Sequence, residues 1–180
     1  MRINDMAPRE VVNDLFVEAC RELFQAYGLT AELIVENAEQ RRRTGYVSVV
    51  SATGNGIRLL SIAAIDATLL ARTHHLGIEI AQSYLEDWCR ELNNQLVGRV
   101  KNKLLEFGCE VITGLPALIK GTDMIALRHP ESESRRYVFA TIHGGLTLTL
   151  EAVLAADFRL ADGMSAAEAG PVMHAGAVLF

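Results

Sequence analysis

Two pairs of β-rich runs, each joined by a glycine-containing turn, constrain the fold of this chain most strongly. The runs and their turns are 46–52 and 57–63 around Thr53-Gly54-Asn55-Gly56, and 137–143 and 146–153 around Gly144-Gly145. Glycine and asparagine tolerate the positive φ angles that tight hairpin turns require. The pattern therefore predicts two antiparallel hairpins.

Amphipathic segments flank and separate these hairpins. Residues 10–28 place apolar side chains on one helical face and end at Gly28, and a longer segment at 80–107 is closed by Gly108. A short helical stretch is predicted at 66–73. Because the elements do not alternate as βαβ units, we expect an α+β domain: a largely antiparallel sheet with two long helices on one face.

Shorter elements complete the predicted sheet. Residues 32–35 and 125–128 are strand candidates, and residues 130–136 are polar and typical of a loop. The run 109–119 contains Pro116, which favours an edge strand or an interrupted one, because proline cannot donate to a strand ladder.

The chain length of 180 residues suits a single domain. We predict this domain at 1–160, followed by an Ala/Gly-rich C-terminal tail at 161–180. Asp14-x3-Glu18 begins the helical segment that ends at Gly28, and Asp87-x3-Glu91 begins the one that ends at Gly108. This echo predicts a weak internal duplication of a helix followed by hairpin strands.

Charge, hydropathy and cysteine content exclude several classes of protein. The net charge of -5 disfavours nucleic acid as a partner, because such binding depends on lysine and arginine neutralising phosphates. We find no apolar signal region and no apolar run of transmembrane length. The three cysteines lie far apart, as in a reducing cytoplasm, so we expect a cytoplasmic protein that binds neither nucleic acid nor membrane. His74-His75 does not predict a metal site, because adjacent residues share neither a helix face nor a strand face.

The long helix carries an unusual polar face. At roughly 100° per residue, Asp87, Glu91, Asn94 and Gly98 agree in direction to within about 60°, and the apolar side chains gather opposite them. We call these four residues the polar stripe. If the apolar side packs on the sheet, the polar stripe faces water, and simple solvation is its plainest interpretation.

The polar stripe breaks several rules of helix stability at once. Asp87 and Glu91 are like charges at i,i+4, Asn94 and its neighbour Asn93 are mediocre helix formers, and an interior Gly98 costs about 1 kcal/mol relative to alanine. A surface selected only for stability would avoid this combination. Local rules broken together mark candidate functional sites.

Over residues 80–121 the sequence resembles the CheX branch of the CheC/CheX/FliY chemotaxis phosphatases. The pattern that carries the resemblance is Asp87-x3-Glu91-x2-Asn94 followed by Pro116, with the text Glu91-Leu92-Asn93-Asn94-Gln95-Leu96-Val97-Gly98 and Leu115-Pro116-Ala117-Leu118-Ile119-Lys120-Gly121 around it. In the N-terminal echo, Glu18 is followed at the third position by Arg21 instead of asparagine. A single site is therefore expected, on the long helix.

The resemblance implies a phosphatase that accelerates loss of the aspartyl phosphate from a response-regulator receiver domain such as phospho-CheY. Asn94 would hold the attacking water, since a carboxamide offers donors and an acceptor without added negative charge. Glu91 would pair with the receiver's lysine, and both residues are the expected catalytic pair. Asp87 and Gly98 are expected partner-binding residues, with solvation of Asp87 and tight helix packing at Gly98 as alternatives. Pro116 more naturally shapes a strand than touches substrate.

The resemblance also implies the assembly. No cofactor is expected on this chain, and Mg²⁺ is expected on the partner receiver. CheX proteins form dimers through their sheets, so a homodimer is expected. Two alternatives stay open: a noncatalytic module of the same fold that binds or scaffolds a receiver or flagellar-switch component, and a structural α+β domain whose polar stripe is merely solvated.

Overall fold

The computed structural model describes residues 7–34, 46–74, 82–119 and 133–161. These residues form three helices and seven strands: α1 (Pro8–Ala26), β1 (Glu32–Ile34), β2 (Tyr46–Gly54), β3 (Ile57–Ile65), α2 (Ala67–Thr73), α3 (Gln82–Glu106), β4 (Val111–Thr113), β5 (Ala117–Ile119), β6 (Glu133–Thr141) and β7 (Gly144–Leu154). Within these ranges no helix is both long enough and apolar enough to cross a membrane.

All seven strands belong to one sheet in the order β1-β6-β7-β3-β2-β4, with β5 also pairing with β2. Every described strand pair is antiparallel. The prediction of an α+β domain with a largely antiparallel sheet is therefore confirmed.

The first hairpin forms where it was predicted, and its turn is tighter than the sequence indicated. β2 and β3 pair as far as Gly54 opposite Ile57, so the turn contains only Asn55 and Gly56. Gly56 has a φ of 72°, the left-handed conformation that glycine adopts without strain.

The predicted position of the second turn was wrong by two residues. Thr141 pairs with Gly144, so the turn consists of Ile142 and His143, and both glycines lie at the start of β7. The Thr141 hydroxyl accepts a hydrogen bond from the His143 amide at 3.1 Å and donates one to the Gly144 carbonyl at 2.9 Å. These bonds close the turn before the glycines are reached.

The predicted loop at 130–136 was also wrong for its second half. β6 begins at Glu133, and the polar residues Ser134 and Arg136 lie on the sheet face away from the helices. Pairing with the buried strand β7 supplies the stability that this polar sequence lacks.

The edge strand after α3 is interrupted, as its proline predicted. β4 and β5 both pair with β2, but their registers differ by one residue, since Ala52 faces Thr113 and Val49 faces Ala117. Gly114 and Pro116 lie in the gap between the two pieces. The extra residue forms a bulge in which proline costs no ladder hydrogen bond.

The sheet order reveals the internal duplication. Each half of the chain runs helix, edge strand, hairpin: α1, β1, β2 and β3 in the first, and α3, the interrupted strand β4–β5, β6 and β7 in the second. Exchanging the halves reverses the sheet order onto itself, with β3 and β7 paired at the centre. Both long helices also end in the same cap, at Gly28 (φ 70°) and Gly108 (φ 69°).

The core lies between one sheet face and the helices. Alternate residues of the central strands point toward α1 and α3 and are buried: Leu59, Ala63 and Ile65 on β3, and Leu146, Leu148, Leu150 and Ala152 on β7. Phe16 and Phe24 from α1 and Leu92, Leu96 and Leu104 from α3 fill the same layer. The two long helices thus cover one face of the sheet, as predicted.

Two sequence predictions fall beyond the described ranges. The candidate strand at 125–128 lies outside the described residues, as does the predicted tail after Ala161. The domain boundary at residue 160 stays a prediction.

Candidate functional site on helix α3

The C-terminal end of α3 is fixed by a cap that glycine makes possible. The Cys109 amide donates to the Leu104 carbonyl at 3.0 Å, and the Gly108 amide donates to the Leu105 carbonyl at 2.9 Å. This pair of bonds is a Schellman motif, which satisfies carbonyls that would otherwise lack a partner. The helix therefore ends abruptly and leads directly into the edge strand.

The buried face of α3 lies opposite the polar stripe. Its buried residues are Cys89, Leu92, Asn93, Leu96, Val97, Val100 and Leu104. Asp87 and Glu91 are exposed, and Asn94 and Gly98 are partly exposed. The structure therefore brings the four residues of the polar stripe together on one accessible helix face, over about 16 Å from Asp87 to Gly98 at 1.5 Å per residue.

Asn93 anchors this helix to the sheet. Its side chain is 1% exposed and reaches two neighbouring strands. The Ser61 hydroxyl on β3 donates to Asn93 Oδ1 at 2.7 Å, and Asn93 Nδ2 donates to the Ser48 carbonyl on β2 at 3.0 Å and to the Ser61 carbonyl at 3.3 Å. Because hydrogen bonds are directional, this contact fixes the rotation of α3 about its axis. The neighbouring Asn94 is thereby directed outward.

Asn94 is the accessible amide of this pair. Within the described part of the chain, its side chain makes no hydrogen bond, so both amide donors and the carbonyl oxygen are available to a partner. An unpaired carboxamide at the surface is chemically competent to hold a water molecule, because it can accept from it and donate to it.

Glu91 is held by a chain of two hydrogen bonds. Gln95 Nε2 donates to Glu91 Oε1 at 2.9 Å, and the Tyr27 hydroxyl donates to Gln95 Oε1 at 2.8 Å. Tyr27 follows α1 and packs edge-on against Trp88, with ring centroids 5.8 Å apart. The C-terminal end of α1 therefore buttresses the polar stripe from one side.

A second contact ties α2 to the same part of α3. The Trp88 indole N–H donates to the Thr73 hydroxyl at 2.9 Å, and the His74 ring packs edge-on against Trp88 at 5.1 Å. His74 is thus a buried residue that packs against Trp88. Among the described residues, no group of three or more histidine, cysteine, aspartate or glutamate side chains could hold a metal ion.

Asp87 and Gly98 occupy the two ends of the polar stripe. Asp87 forms an ion pair with Arg90 one turn along the helix, which offsets the like-charge repulsion from Glu91. A Cβ atom added at Gly98 would meet no described atom within 4 Å. The tight-packing alternative for Gly98 therefore has no contact to support it, and the roles of Asp87 and Gly98 toward a partner stay predictions.

The first helix has no equivalent of this site. Aligning α1 and α3 at their shared caps, Gly28 with Gly108, places Val11 opposite Glu91 and Asp14 opposite Asn94. Val11 is buried. This alignment corrects the register of the sequence echo, in which Glu18 corresponded to Glu91. Glu18 instead lies 3.1 Å from Lys103 Nζ, which also bonds Glu22 at 2.7 Å, and so helps to join the two helices.

The polar stripe lies on an accessible helix face, and none of its four residues lines the cleft that the described residues form. An open cleft of about 790 Å³ lies elsewhere, between the β2–β3 turn, the segment after α3 and residues 157–159. It is about 20 Å from Asn94, counted along the helix. The exposed position of Glu91 and Asn94 suits a macromolecular partner, whereas a small-molecule enzyme usually encloses its substrate.

Sequence reasoning missed three residues that position the site. Asn93 was grouped with Asn94 as a poor helix former, although its direction falls among the buried residues of α3; the signal was a polar residue on an apolar face. Gln95 sits at i+4 from Glu91, a spacing at which side chains meet. Tyr27 carried no signal, because its contact with Gln95 spans 68 residues.

No family model matches the sequence, and no curated protein matches it. Solved structures do match. The chemotaxis protein CheX from Vibrio vulnificus superposes with a TM-score of 0.68 at 14% identity, over 78% of this chain and 98% of that one. CheX from Desulfovibrio desulfuricans gives 0.63 at 19% identity, over 77% and 97%.

A third match was solved as a complex. CheX from Borrelia burgdorferi, in a CheX–CheY–BeF₃–Mg²⁺ complex, superposes with a TM-score of 0.56 at 18% identity, over 79% of this chain and 96% of that one. Three-quarters of this chain thus covers nearly the whole of each CheX chain. The resemblance read from Glu91, Asn94 and Pro116 is confirmed at the level of the fold: this chain has the fold of the CheX and CheC-like chemotaxis proteins.

Proposed function

We propose that this protein is a phosphatase that accelerates loss of the aspartyl phosphate from a CheY-like response-regulator receiver domain. The observation that carries the proposal is the accessible pair Glu91 and Asn94 on one face of α3, with Asn93 holding that face outward. The CheX–CheY complex among the similar structures supports a receiver as the partner. A chemotaxis or related two-component pathway follows from the same partner.

The mechanism requires little covalent chemistry from this chain. Phosphoryl transfer depends mainly on positioning and charge neutralisation. Asn94 would enter the receiver's active site and hold a water molecule in line with the scissile P–O bond. The water attacks phosphorus, the aspartate carboxylate leaves, and inorganic phosphate is released. Mg²⁺ and the receiver's own lysine belong to the partner's half of the site.

Glu91 would set the docking register by pairing with the receiver's lysine. A carboxylate brought near a phosphoryl group without a cation would repel it, so the ion pair with that lysine is needed for approach. On an ideal helix, Glu91 and Asn94 are about one turn apart, so one contact orients the other. Asp87 and Gly98 would contact the receiver's rim.

The direct test follows the lifetime of a phosphorylated receiver domain. Wild-type protein should shorten this lifetime, and Asn94→Ala should lose about 100-fold of the acceleration, since misplacing a reacting group by about 1 Å costs this much. Asn102→Ala is the matched control, because Asn102 is an exposed asparagine on the same helix, about 12 Å away. A receiver lifetime unchanged by the wild-type protein would refute phosphatase activity.

The same experiment separates the noncatalytic alternative. A module that only binds receivers should retain affinity for a receiver loaded with beryllium fluoride while leaving the phosphorylated lifetime unchanged. An Asn94→Ala protein as active as wild type would instead refute the role of Asn94 while leaving the activity standing.

We propose a homodimer as the assembly. Among the described strands, the sheet ends in β1 on one side and in the interrupted β4–β5 edge on the other, and Ile112 and Ile119 at this second edge are exposed. Exposed apolar residues at a sheet edge favour pairing with another chain. Sedimentation equilibrium should give twice the chain mass of 19.7 kDa, and the mass of one chain would contradict the proposal.

A further inference from the structure

We infer that Gln95 and Tyr27 are positioning residues that hold the Glu91 carboxylate ready for the cation of the partner. The inference rests on the proposed function and extends it to two residues that the sequence pattern does not include. Its basis is the chain of two hydrogen bonds from Tyr27 through Gln95 to Glu91.

The direction of this chain is determined by its chemistry. An ionised carboxylate only accepts hydrogen bonds, so Gln95 must present its NH₂ group to Glu91. Its carbonyl oxygen then faces Tyr27, whose hydroxyl can donate. Each bond polarises the next, so the Gln95 amide binds the carboxylate more strongly than it would alone.

Tyr27 itself is fixed independently of Glu91. It directly follows α1, its amide donates to the Phe24 carbonyl at 3.0 Å, and its ring packs edge-on against Trp88. Packing restricts the ring, and the ring fixes the position of the hydroxyl. We call the two hydrogen bonds from Tyr27 through Gln95 to Glu91 the relay. The relay therefore ties the Glu91 side chain to the C-terminal end of α1.

The consequence for Glu91 is a loss of rotamer freedom before any partner arrives. Long side chains such as glutamate lose considerable conformational entropy when they are immobilised in an interface. Gln95 bonds Oε1, and no other described residue forms a hydrogen bond with the Glu91 side chain, so Oε2 can accept one from a partner's ammonium group. A carboxylate already held in place binds the cation at a smaller entropic cost.

Charge around Tyr27 gives a readout that needs no partner. Burial raises the pKa of Tyr27 above its ordinary value and the negative charge of Glu91 adds to the rise, whereas the hydrogen bond with Gln95 and the charge of Arg99 oppose it. Glu91→Gln should therefore lower the pKa of Tyr27 in the free protein. Glu106→Gln is the control, because Glu106 lies at the far end of α3 and should leave Tyr27 unchanged.

The functional test uses two isosteric changes. Gln95→Met keeps the side-chain length and removes both hydrogen bonds; it should raise the receiver concentration for half-maximal activity about fivefold, with kcat changed less than twofold. Tyr27→Phe removes only the hydroxyl and should raise it about twofold. Gln82→Met, about 20 Å from Gln95 along α3, and Tyr46→Phe, on the first residue of β2, should match wild type.

A double-mutant cycle distinguishes positioning from general structural support. In a Glu91→Ala background, Gln95→Met should have no further effect on affinity, because the group that it positions is gone. If Gln95→Met weakened receiver binding equally with and without Glu91, the inference would be overturned. A Tyr27 pKa that stays unchanged in Glu91→Gln would also overturn it. An inactive wild-type protein would instead refute the proposed function, and with it the effect on the receiver, while the Tyr27 pKa of Glu91→Gln still reports whether the Glu91 carboxylate lies close to the Tyr27 hydroxyl.

Discussion

At the scale of single residues, two adjacent asparagines have opposite roles. The Asn93 side chain is buried and bound to two strands, whereas the Asn94 side chain is partly exposed and forms no hydrogen bond with any described residue. Successive residues of a helix point in directions about 100° apart, so a shift of one position can exchange a core position for a surface position. The buried amide thus determines where the exposed amide points.

Asn93→Ala should destabilise the fold by about 2–4 kcal/mol, because the Ser61 hydroxyl and two strand carbonyls lose their partner in a buried place. Thermal unfolding should show this as a drop in Tm of roughly 5–15 °C. Asn102→Ala, at an exposed position, should change stability by no more than about 0.5 kcal/mol. Equal Tm values for the two variants would contradict the anchoring role of Asn93.

The same pair of residues marks the limit of sequence prediction at this scale. Helical periodicity placed Glu91, Asn94 and Gly98 on one face without any knowledge of the sheet. It could not reveal that Ser48 and Ser61 lie beneath Asn93, since these serines belong to strands 32 or more residues away in sequence. Long-range polar contacts leave no periodic pattern.

At the scale of elements, α3 combines a fixed inner face with an outer face that is poorly suited to helix stability. Asn93 and the Gly108 cap fix the rotation and the end of the helix. Gly98 lies in the interior of the helix, where glycine is a poor helix former, and no described atom lies near enough to require glycine there. Among the described residues, nothing fills the space beside Gly98, as its predicted contact with a partner requires.

Gly98→Ala should separate stability from function. The substitution should stabilise the protein by about 0.5–1 kcal/mol, because alanine is the better helix former and its methyl group meets open space. Phosphatase activity should nevertheless fall severalfold, because the methyl group would obstruct the receiver. Urea denaturation and receiver lifetimes measure the two effects. Higher stability with unchanged activity would show that the partner does not approach Gly98.

The sequence predicted the elements better than their boundaries. Hairpins and long helices carry strong local signals, and all of them formed. The second turn and the start of β6 were misplaced, because Thr141 and the pairing with β7 decide them, and neither effect is local in sequence. Strand pairing overrides the polar composition of Glu133–Arg136.

At the scale of the whole molecule, the two halves repeat one plan, and only one of them carries the candidate site. The cap alignment places buried Val11 where the second half has Glu91. The first helix instead contributes Tyr27 to the site and two glutamates to Lys103. The first half thus supports the candidate site that the second half carries.

The labelling rates of the three buried cysteines report how tightly the helices pack on the sheet. Burial raises the pKa of Cys20 and Cys109, and raises that of Cys89 to about 12. Since the thiolate is the reactive form, a disulfide reagent at pH 8 should label the native protein slowly, and Cys109 first. The protein unfolded in guanidinium chloride provides the reference rate for all three thiols. Rapid native labelling of Cys89 would show that α3 is not held against the sheet.

The pairing of β1 with β6 has a consequence for how the chain is made. Glu32 lies opposite Ala140, so β1 can pair with β6 only after the residues between them have been synthesised. Contacts this distant in sequence form slowly, and the unpaired edge is exposed meanwhile. During synthesis, β2 and β3 can pair at once, but the N-terminal segment has to remain tethered and unpaired. Tyr27 precedes that segment, and its partner Gln95 is synthesised well before β6, so the support for Glu91 can form while β1 is still unpaired.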